Sequence, residues 1–588
     1  MRMMRRDHIE AEIRRRADGY RPQTHLIADY YRVRRKIAYP LPIRGIYLPG
    51  MPIPGIRAYP WSIWLAWSLE ERILSLGWAA SWFSDGEARR LAVADLDALA
   101  EWPCYRQLPM PDLSSGHALR TLWQARTRWD WLPSRIRTKI ERAFLRHIED
   151  TLPLSDARHG AYACKDDILA LEAPHTALHN IPFIGTVGLA LAANSISHPA
   201  ADTLNRRLEA LLGAILDLRS GGHSEGIGYD GYILDFAADW LDTLSPSRRN
   251  AMMAHPRFGD VLDESIALGA PGDVANIAQL SDAEPREMPF HISGHAKLFR
   301  HRASPRTGWY LNRCGLSWMR ADALAALHGI GDDDQWKPPR AGAMDAHYAV
   351  VLRSGWEPDD LAVAMAASNS KMSHVQNDNG TIVIGARGRW PVSDPGYQQY
   401  MKKREREFTL GLTAHNAPVI NGMAQAEKPA DRRVVLRRCG GTTYSAELDL
   451  TDCYPAELAL KRVVRTLWLS ERDLVVAADR VRGASVESVT YHWHGHPDAA
   501  WWVQDNMARI YAPDLTFWIG SPQARITDGN VDRLPGSRGQ LTLVANADPS
   551  APCVWWVFAK GDIQPVVTLH DRGRGIRVGG RNFEISRT

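Results

Sequence analysis

The sequence predicts a multidomain α+β protein, a helical first half followed by an antiparallel β-sandwich. Three observations carry that expectation. At 588 residues the chain is longer than a single core usually grows, so it should divide into two or three domains. Through the first half, apolar residues recur at helical spacing. From about residue 344 they fall instead into short β-rich runs separated by Gly, Asp, Asn and Pro, the signature of antiparallel strands.

Residues 61–83 (WSIWLAWSLEERILSLGWAASWF) open the helical half, with charge clustered at Glu70 to Arg72. Similar patterns recur near 116–129, 135–150, 177–194, 203–218 and 230–243, punctuated by breaker clusters such as LPMPDLSSG and SPSRR. Successive helices without intervening strands predict an all-α array over residues 1–275, such as an incomplete helical (α/α) toroid. Around 270–310 the periodicity weakens and breakers accumulate, so 276–343 reads as an interdomain segment. Residues 344–588 then hold the strand-like runs HYAVVLRSGW, LAVAMAAS, TIVIGARGRW, RRVVLRRC, LVVAADRV, SVTYHWHGH, QLTLVANA and CVWWVFAK, which predict the β-sandwich.

Composition excludes several function classes. With 45% hydrophobic and 23% charged residues, the chain resembles an ordinary globular protein. A net charge of +4 over this length is no nucleic-acid footprint, and the Arg-rich start (Arg2, Arg5, Arg6, Arg14 to Arg16) reads as a solvated helix face. Six scattered cysteines without CxxC spacing predict reduced thiols. No apolar run approaches the roughly 18 residues of a membrane helix. The charged continuation DHIEAEIRRR does not suit a secretory signal, so the expected location is the cytoplasm, or the periplasm with an export signal outside this sequence. Trp is over-used, 22 against 11 Phe. Most of these indoles should fill helix seams; a carbohydrate groove is the functional alternative.

Four segments carry candidate chemistry. SHVQNDNGTIVIGARGRWPVSDPGY (373–397) sets His374, Asn377, Asp378 and Asn379 ahead of a strand and Asp394 before a Pro–Gly turn. His374 and Asp394 then stand at the ends of adjacent strands, as a cleft pair or as a hydrogen-bonded loop. FTLGLTAHNAPVINGMAQ places His415 and Asn416 ahead of another strand. In SGGHSEGIGYDGY (220–232), Glu225, Tyr229 and Tyr232 fall at i, i+4 and i+7, one helix face if the helix begins there. In LHNIPFIGTVGLALAAN, His179 and Asn180 open an apolar helix, where Asn180 would serve as a good N-cap. Two weaker features join them. Arg353 in LRSGW suits a carboxylate partner or a pairing at the domain junction, and His492, His494 and His496 share a strand face, as chelators or as part of a half-exposed strand.

In this order, the segments resemble the heparinase II/III-like polysaccharide lyases. The family pattern SHxHNDNGSF is matched by SHVQNDNGTI, the DPG–Tyr and HN elements by DPGY and AHN, and EGPGYWxYG by EGIGYDGY. The resemblance implies an N-terminal α/α toroid, a C-terminal β-sandwich, and β-elimination on a uronate-containing polysaccharide or oligosaccharide. It further implies that Asn180 binds the substrate carboxylate while Tyr229 and His374 transfer protons, with His179, Glu225, Tyr232, Arg353 and Asn377 around the substrate. No cofactor is required by that chemistry. The family's structural Zn site would map to Gln376, Asp394 and His415, but Gln departs from the usual zinc donors. Partners other than the glycan, oligomeric state (a homodimer included) and the choice of uronate polymer stay open. So do two other readings, a non-catalytic glycan-binding protein of exopolysaccharide assembly and a glycoside hydrolase, which would need two flanking carboxylates.

Overall fold

A computed structural model describes residues 2–22, 24–29, 35–46, 59–108, 110–156, 178–218, 224–283, 289–330, 337–370, 372, 374–396, 407–411, 413–426, 428–496, 498–529 and 542–585. Ser373, Tyr397–Tyr400, Cys164 and residues 220–223 of the motif segments lie outside these. Among the described residues the other five cysteines form no disulfide. Among the described residues no helix is long and apolar enough to cross a membrane.

The expected helices form. Tyr59–Phe83, Gly86–Ala100, Leu113–Arg128, Ser134–Asp156, Asn180–Ser195, Ala201–Leu218 and Ile227–Thr243 run in sequence, and their apolar stripes meet in one core containing Leu119, Phe183, Leu208 and Trp240. Two small hairpins interrupt the helical pattern, Thr24–Asp29 with Arg35–Pro40 and Gly269–Ala270 with Asp273–Ile277.

The segment 276–343 differs from the interdomain reading. It contributes the helices Phe290–Leu298, Pro305–Arg313 and Ala321–His328, and Phe290, Tyr310 and Leu324 are buried in the same helical core. Their shortness, eight or nine residues each, hides the periodicity that a longer window needs.

Glycines set the approach of the Leu113–Arg128 and Asn180–Ser195 helices. A Cβ at Gly188 would lie 2.8 Å from Gly116 Cα, and one at Gly185 only 2.4 Å from the Pro111 carbonyl carbon. The close packing fixes where the Asn180 end of its helix stands. Gly185→Ala is therefore expected to cost about 2 kcal/mol of stability, since backbone rather than a flexible side chain must yield. Urea unfolding measures it, and an unchanged midpoint would show that the helices can separate without penalty.

Beside a small three-stranded sheet of Val567–His570, Gly575–Val578 and Arg581–Glu584, the second half holds two large antiparallel sheets. One orders its strands Ala524–Gly529, Thr542–Ala547, Val489–Gly495, Arg389–Ser393, Ile382–Ala386, Ala362–Ala366, Ala349–Arg353 and Gly342–Asp345, with Val419–Ile420 paired onto Val489–Gly495. The other runs from Val434–Gly440 through Thr443–Asp449, Leu460–Ser470, Leu474–Gly483, Val554–Lys560, Leu515–Gly520 and Met507–Ala512 to Ala500–Gln504. Alternation divides the first sheet's side chains. Val350, Leu352, Val363 and Ile384 face the second sheet. Ala349, Val351, Ala362 and Val383 face Ile227, Leu268, Ile277 and Leu280 of the helical part. With both faces covered, every residue of Ala349–Arg353 is buried, and the two halves meet along an apolar seam. The candidate site lies at this junction.

Candidate active site

The site is assembled from three helical-domain pieces and one β-domain loop. On the helical side, Ser224–Gly226 leads into the Ile227–Thr243 helix. Gly226 sits at φ +81°, in the left-handed region that glycine occupies most cheaply, so the chain can turn sharply after Glu225. Asp230 in the first helical turn holds that turn, accepting from Ser224 Oγ (2.6 Å) and from the Glu225 backbone N–H (3.1 Å). From the β-domain, Ser370 Oγ donates to the Ser224 carbonyl at 2.5 Å, tying the two halves together here.

Glu225 is buried and accepts twice from Asn180, from its backbone N–H (2.7 Å) and from its side-chain Nδ2 (3.0 Å). Burial raises the Glu225 carboxyl from an ordinary 4.5 to about 7; His374 pulls it down, the nearby Asp230 charge pushes it up and the Asn180 donors lower it. The helix starts at Asn180 itself, and His179 is its N-cap, with Nδ1 accepting from Ile181 N–H at 3.4 Å. The expected capping role of Asn180 thus passes to its neighbour. Asn180 Oδ1 is buried and has no hydrogen-bond partner among the described residues.

His374 stands opposite. Its ring lies flat on that of Tyr229, centroids 3.6 Å apart and planes 11° from parallel. Nδ1 is 2.9 Å from Asp282 Oδ2, and Nε2 is 4.0 Å from Glu225 Oε1. Gln376 Nε2 donates to the other Asp282 oxygen at 2.6 Å. Burial raises the Asp282 carboxyl, and its bond to His374 opposes that rise. The structure therefore brings together Asn180, Glu225, Tyr229 and His374, with His179 next in chain.

Asp282 was missed by sequence reasoning. It falls in the stretch read as interdomain, and the one available signal was a polar Ser–Asp pair closing the otherwise apolar run VANIAQL.

Other candidates belong elsewhere. Tyr232 is not on a common face with Glu225, because the helix begins only at Ile227. Its ring stacks on Phe290 and its hydroxyl meets Trp67 Nε1 (2.8 Å) and His117 Nε2, deep in a buried network with Glu70, Arg120 and Asp235. Arg353 is fully buried, donates to the carbonyls of Ala267, Gly269 and Gly355, and stacks on Trp356. It fastens the domain junction through these carbonyls, with the charge of buried Asp360 acting on it. Asn377 is exposed, and its amide donates to the Ala426 carbonyl (3.1 Å).

The three positions mapped to zinc do not assemble. Asp394 Oδ2 and His415 Nδ1 bond directly at 2.9 Å, while the Gln376 amide turns to Asp282. Burial acts to lower the His415 imidazole, but the Asp394 charge, the hydrogen bond to Asp394 and the Asp378 charge together outweigh it and the group is raised. Among the described residues no group of three or more His, Cys, Asp or Glu could hold a metal ion. This donor set does not fit zinc. Asn416 clamps the sheet, donating to the Ile382 and Ser393 carbonyls and accepting from His494 N–H. His494 is likewise occupied, by the Thr413 carbonyl and Thr542 Oγ1.

Comparison with known proteins agrees with this architecture. Residues 337–569 match the heparinase II/III-like C-terminal domain. No curated protein matches the sequence. Among solved structures, a heparinase III superposes with a TM-score of 0.63 at 12% identity, covering 97% of this chain and 90% of that one. The heparan sulfate lyase of Pedobacter heparinus gives 0.57 at 12% identity over 98% and 88%. The chondroitin AC lyase of Streptomyces coelicolor A3, in complex with chondroitin sulphate, gives 0.51 at 14% over 97% and 83%. At such identities the superpositions speak for the fold. The chain thus carries a domain similar to the heparinase II/III-like C-terminal domain at 337–569 and shares the fold of these lyases along its whole length.

Proposed function

We propose that the protein is a polysaccharide lyase that cleaves a uronate-containing polysaccharide or oligosaccharide by β-elimination. The observation that carries this reading is the Tyr229–His374 stack set beside the Asn180–Glu225 pair at the domain junction. Two proton-transfer groups and an amide donor on one small volume are what this elimination needs.

A uronate C5 proton leaves only if the charge that develops on the carboxylate is stabilised. Asn180, held in place by Glu225, has the second hydrogen of its side-chain amide to offer it. His374 takes the C5 proton at Nε2. The electron pair of that C–H bond forms the C4–C5 double bond, and the C4–O4 bond breaks. The Tyr229 hydroxyl protonates the departing O4. Tyr229 takes both steps when proton and leaving group lie on one side of the ring. Tyr229 and His374 are each 5% exposed, so the surrounding chain must move to admit a sugar polymer.

The test is absorbance near 232 nm, from the conjugated unsaturated uronate, on incubation with glycosaminoglycans, alginate, glucuronan and bacterial exopolysaccharides. A rise with one polymer, abolished in His374→Ala, is the expected result. Glycan binding that survives His374→Ala and Tyr229→Phe, with no product from any polymer, would instead identify a non-catalytic glycan-binding protein on this scaffold.

A further inference from the structure

We propose that Asp282 and Gln376 form a positioning relay that holds His374 by hydrogen bonds alone, without a metal ion. The relay deepens the lyase reading for its catalytic consequence, but its geometry stands without it.

Asp282 grips His374 at two points. Its backbone N–H donates to the His374 carbonyl at 3.1 Å, and its Oδ2 lies 2.9 Å from the ring Nδ1. Gln376 then donates Nε2 to Oδ1 at 2.6 Å, so each carboxylate oxygen has its own donor. Asp282 and Gln376 are each 4% exposed, and water has little part in satisfying them. Gln376 Oε1 has no hydrogen-bond partner among the described residues, so the bond its amide makes here is the one to Asp282. The backbones are fastened in parallel. Gln376 N–H donates to Ser281 Oγ (3.2 Å), and Ser281 donates from both N–H and Oγ to Asp378 Oδ2 at 2.9 Å. Lys428 Nζ reaches the Gln376 carbonyl.

A carboxylate at Nδ1 fixes the tautomer. Nδ1 carries the hydrogen and Nε2 carries the lone pair. Nε2 is the nitrogen on the Glu225 side, toward the Asn180 donors, where a substrate carboxylate and its C5 proton would lie. Turning the ring over would break the Asp282 bond and present the wrong nitrogen. Gln376 acts one step further out: without its donor, Oδ1 is a buried acceptor left unmade, and the carboxylate is no longer held in plane.

The experiment uses the full chain with ring-15N histidine, comparing wild type, Asp282→Asn and Gln376→Leu. Asn at 282 presents one oxygen and one NH2 group: with its oxygen kept on Gln376 Nε2, its NH2 faces Nδ1, which must then accept and hand its hydrogen to Nε2. In wild type, His374 (assigned by its loss in His374→Ala) should show a protonated Nδ1 and a bare Nε2 at pH 8. Asp282→Asn should convert that signal to a tautomer mixture and lower kcat by about 10- to 100-fold, with KM changed less than about twofold. Gln376→Leu should shift the tautomer less and lower kcat by about 3- to 10-fold; it serves as the reading if Asp282→Asn does not fold. Chelator should leave wild-type kcat unchanged. An unaltered His374 tautomer in both variants, or loss of activity on chelation, overturns the relay. If wild type forms no unsaturated product yet the tautomer responds to the variants, the relay stands and the lyase reading fails.

Discussion

Tyr229→Phe is expected to lower kcat by about 10²- to 10⁴-fold, the span typical of removing a general acid or base, while KM and the unfolding midpoint barely change. The substitution is chosen because it separates two roles of one side chain. The phenyl ring keeps its stack on His374 and its place in the helical core, so packing is preserved and only the hydroxyl is lost. His374→Ala is a blunter change. It removes the proposed base, the surface on which Tyr229 lies and the partner of Asp282 together, so its activity loss should be at least as large, with some loss of stability. If the two groups serve one elimination, the double variant should be little worse than the poorer single one, because residues acting as a unit are strongly non-additive. Initial rates at 232 nm on the best polymer decide it. A Tyr229→Phe enzyme within tenfold of wild type would remove the hydroxyl from the reaction and leave His374 to be paired with another acid.

How far the sequence could be read depended on the length over which each signal acts. Long helices such as Tyr59–Phe83 and Asn180–Ser195 show their apolar spacing over many turns, and the strand runs show turn residues at both ends. Both halves of the fold were legible for that reason. The eight- and nine-residue helices of 290–328 were not, because two turns carry too little pattern. The site was legible where a motif is contiguous. Tyr229, His374, Asn180 and Glu225 each sit in a recognisable segment, and they meet in space. What chain order cannot show is who bonds to whom across the junction. Asp282 is 92 residues from His374 in sequence, and nothing local to it announces a histidine partner. Tyr232 failed for a finer reason: a helical-face argument assumes the helix has already begun, and Glu225 lies two residues before its start. Arg353 stands at the domain junction, one of its two expected places, but its hydrogen bonds go to backbone carbonyls, which a sequence does not display.

Glu225→Gln is expected to abolish a stability loss of about 3 kcal/mol that wild type suffers between about pH 4.5 and 7. Burial raises the Glu225 carboxyl to about 7 from an ordinary 4.5, and at 1.36 kcal/mol per unit that rise amounts to about 3 kcal/mol. The sign follows from proton counting. In that interval the unfolded chain has released its proton while the folded protein keeps it, so the folded state binds more protons and stability falls as pH rises. The groups facing Glu225 are His374, Asp230 and the two Asn180 donors. None is altered by the substitution. Glutamine offers one acceptor oxygen where the carboxylate offers two, so one Asn180 donor loses its partner. That cost does not depend on pH, and it cancels when the difference between the two proteins is followed from pH 4 to pH 8 by urea unfolding. The same substitution bears on function. Above about pH 7 the Glu225 charge stands beside the place proposed for the substrate carboxylate, so wild-type KM should climb with pH while that of Glu225→Gln stays flat. Parallel stability curves for the two proteins would mean that Glu225 ionises as an ordinary surface carboxylate, and that the Asn180 pairing is not the buried contact on which the site is built.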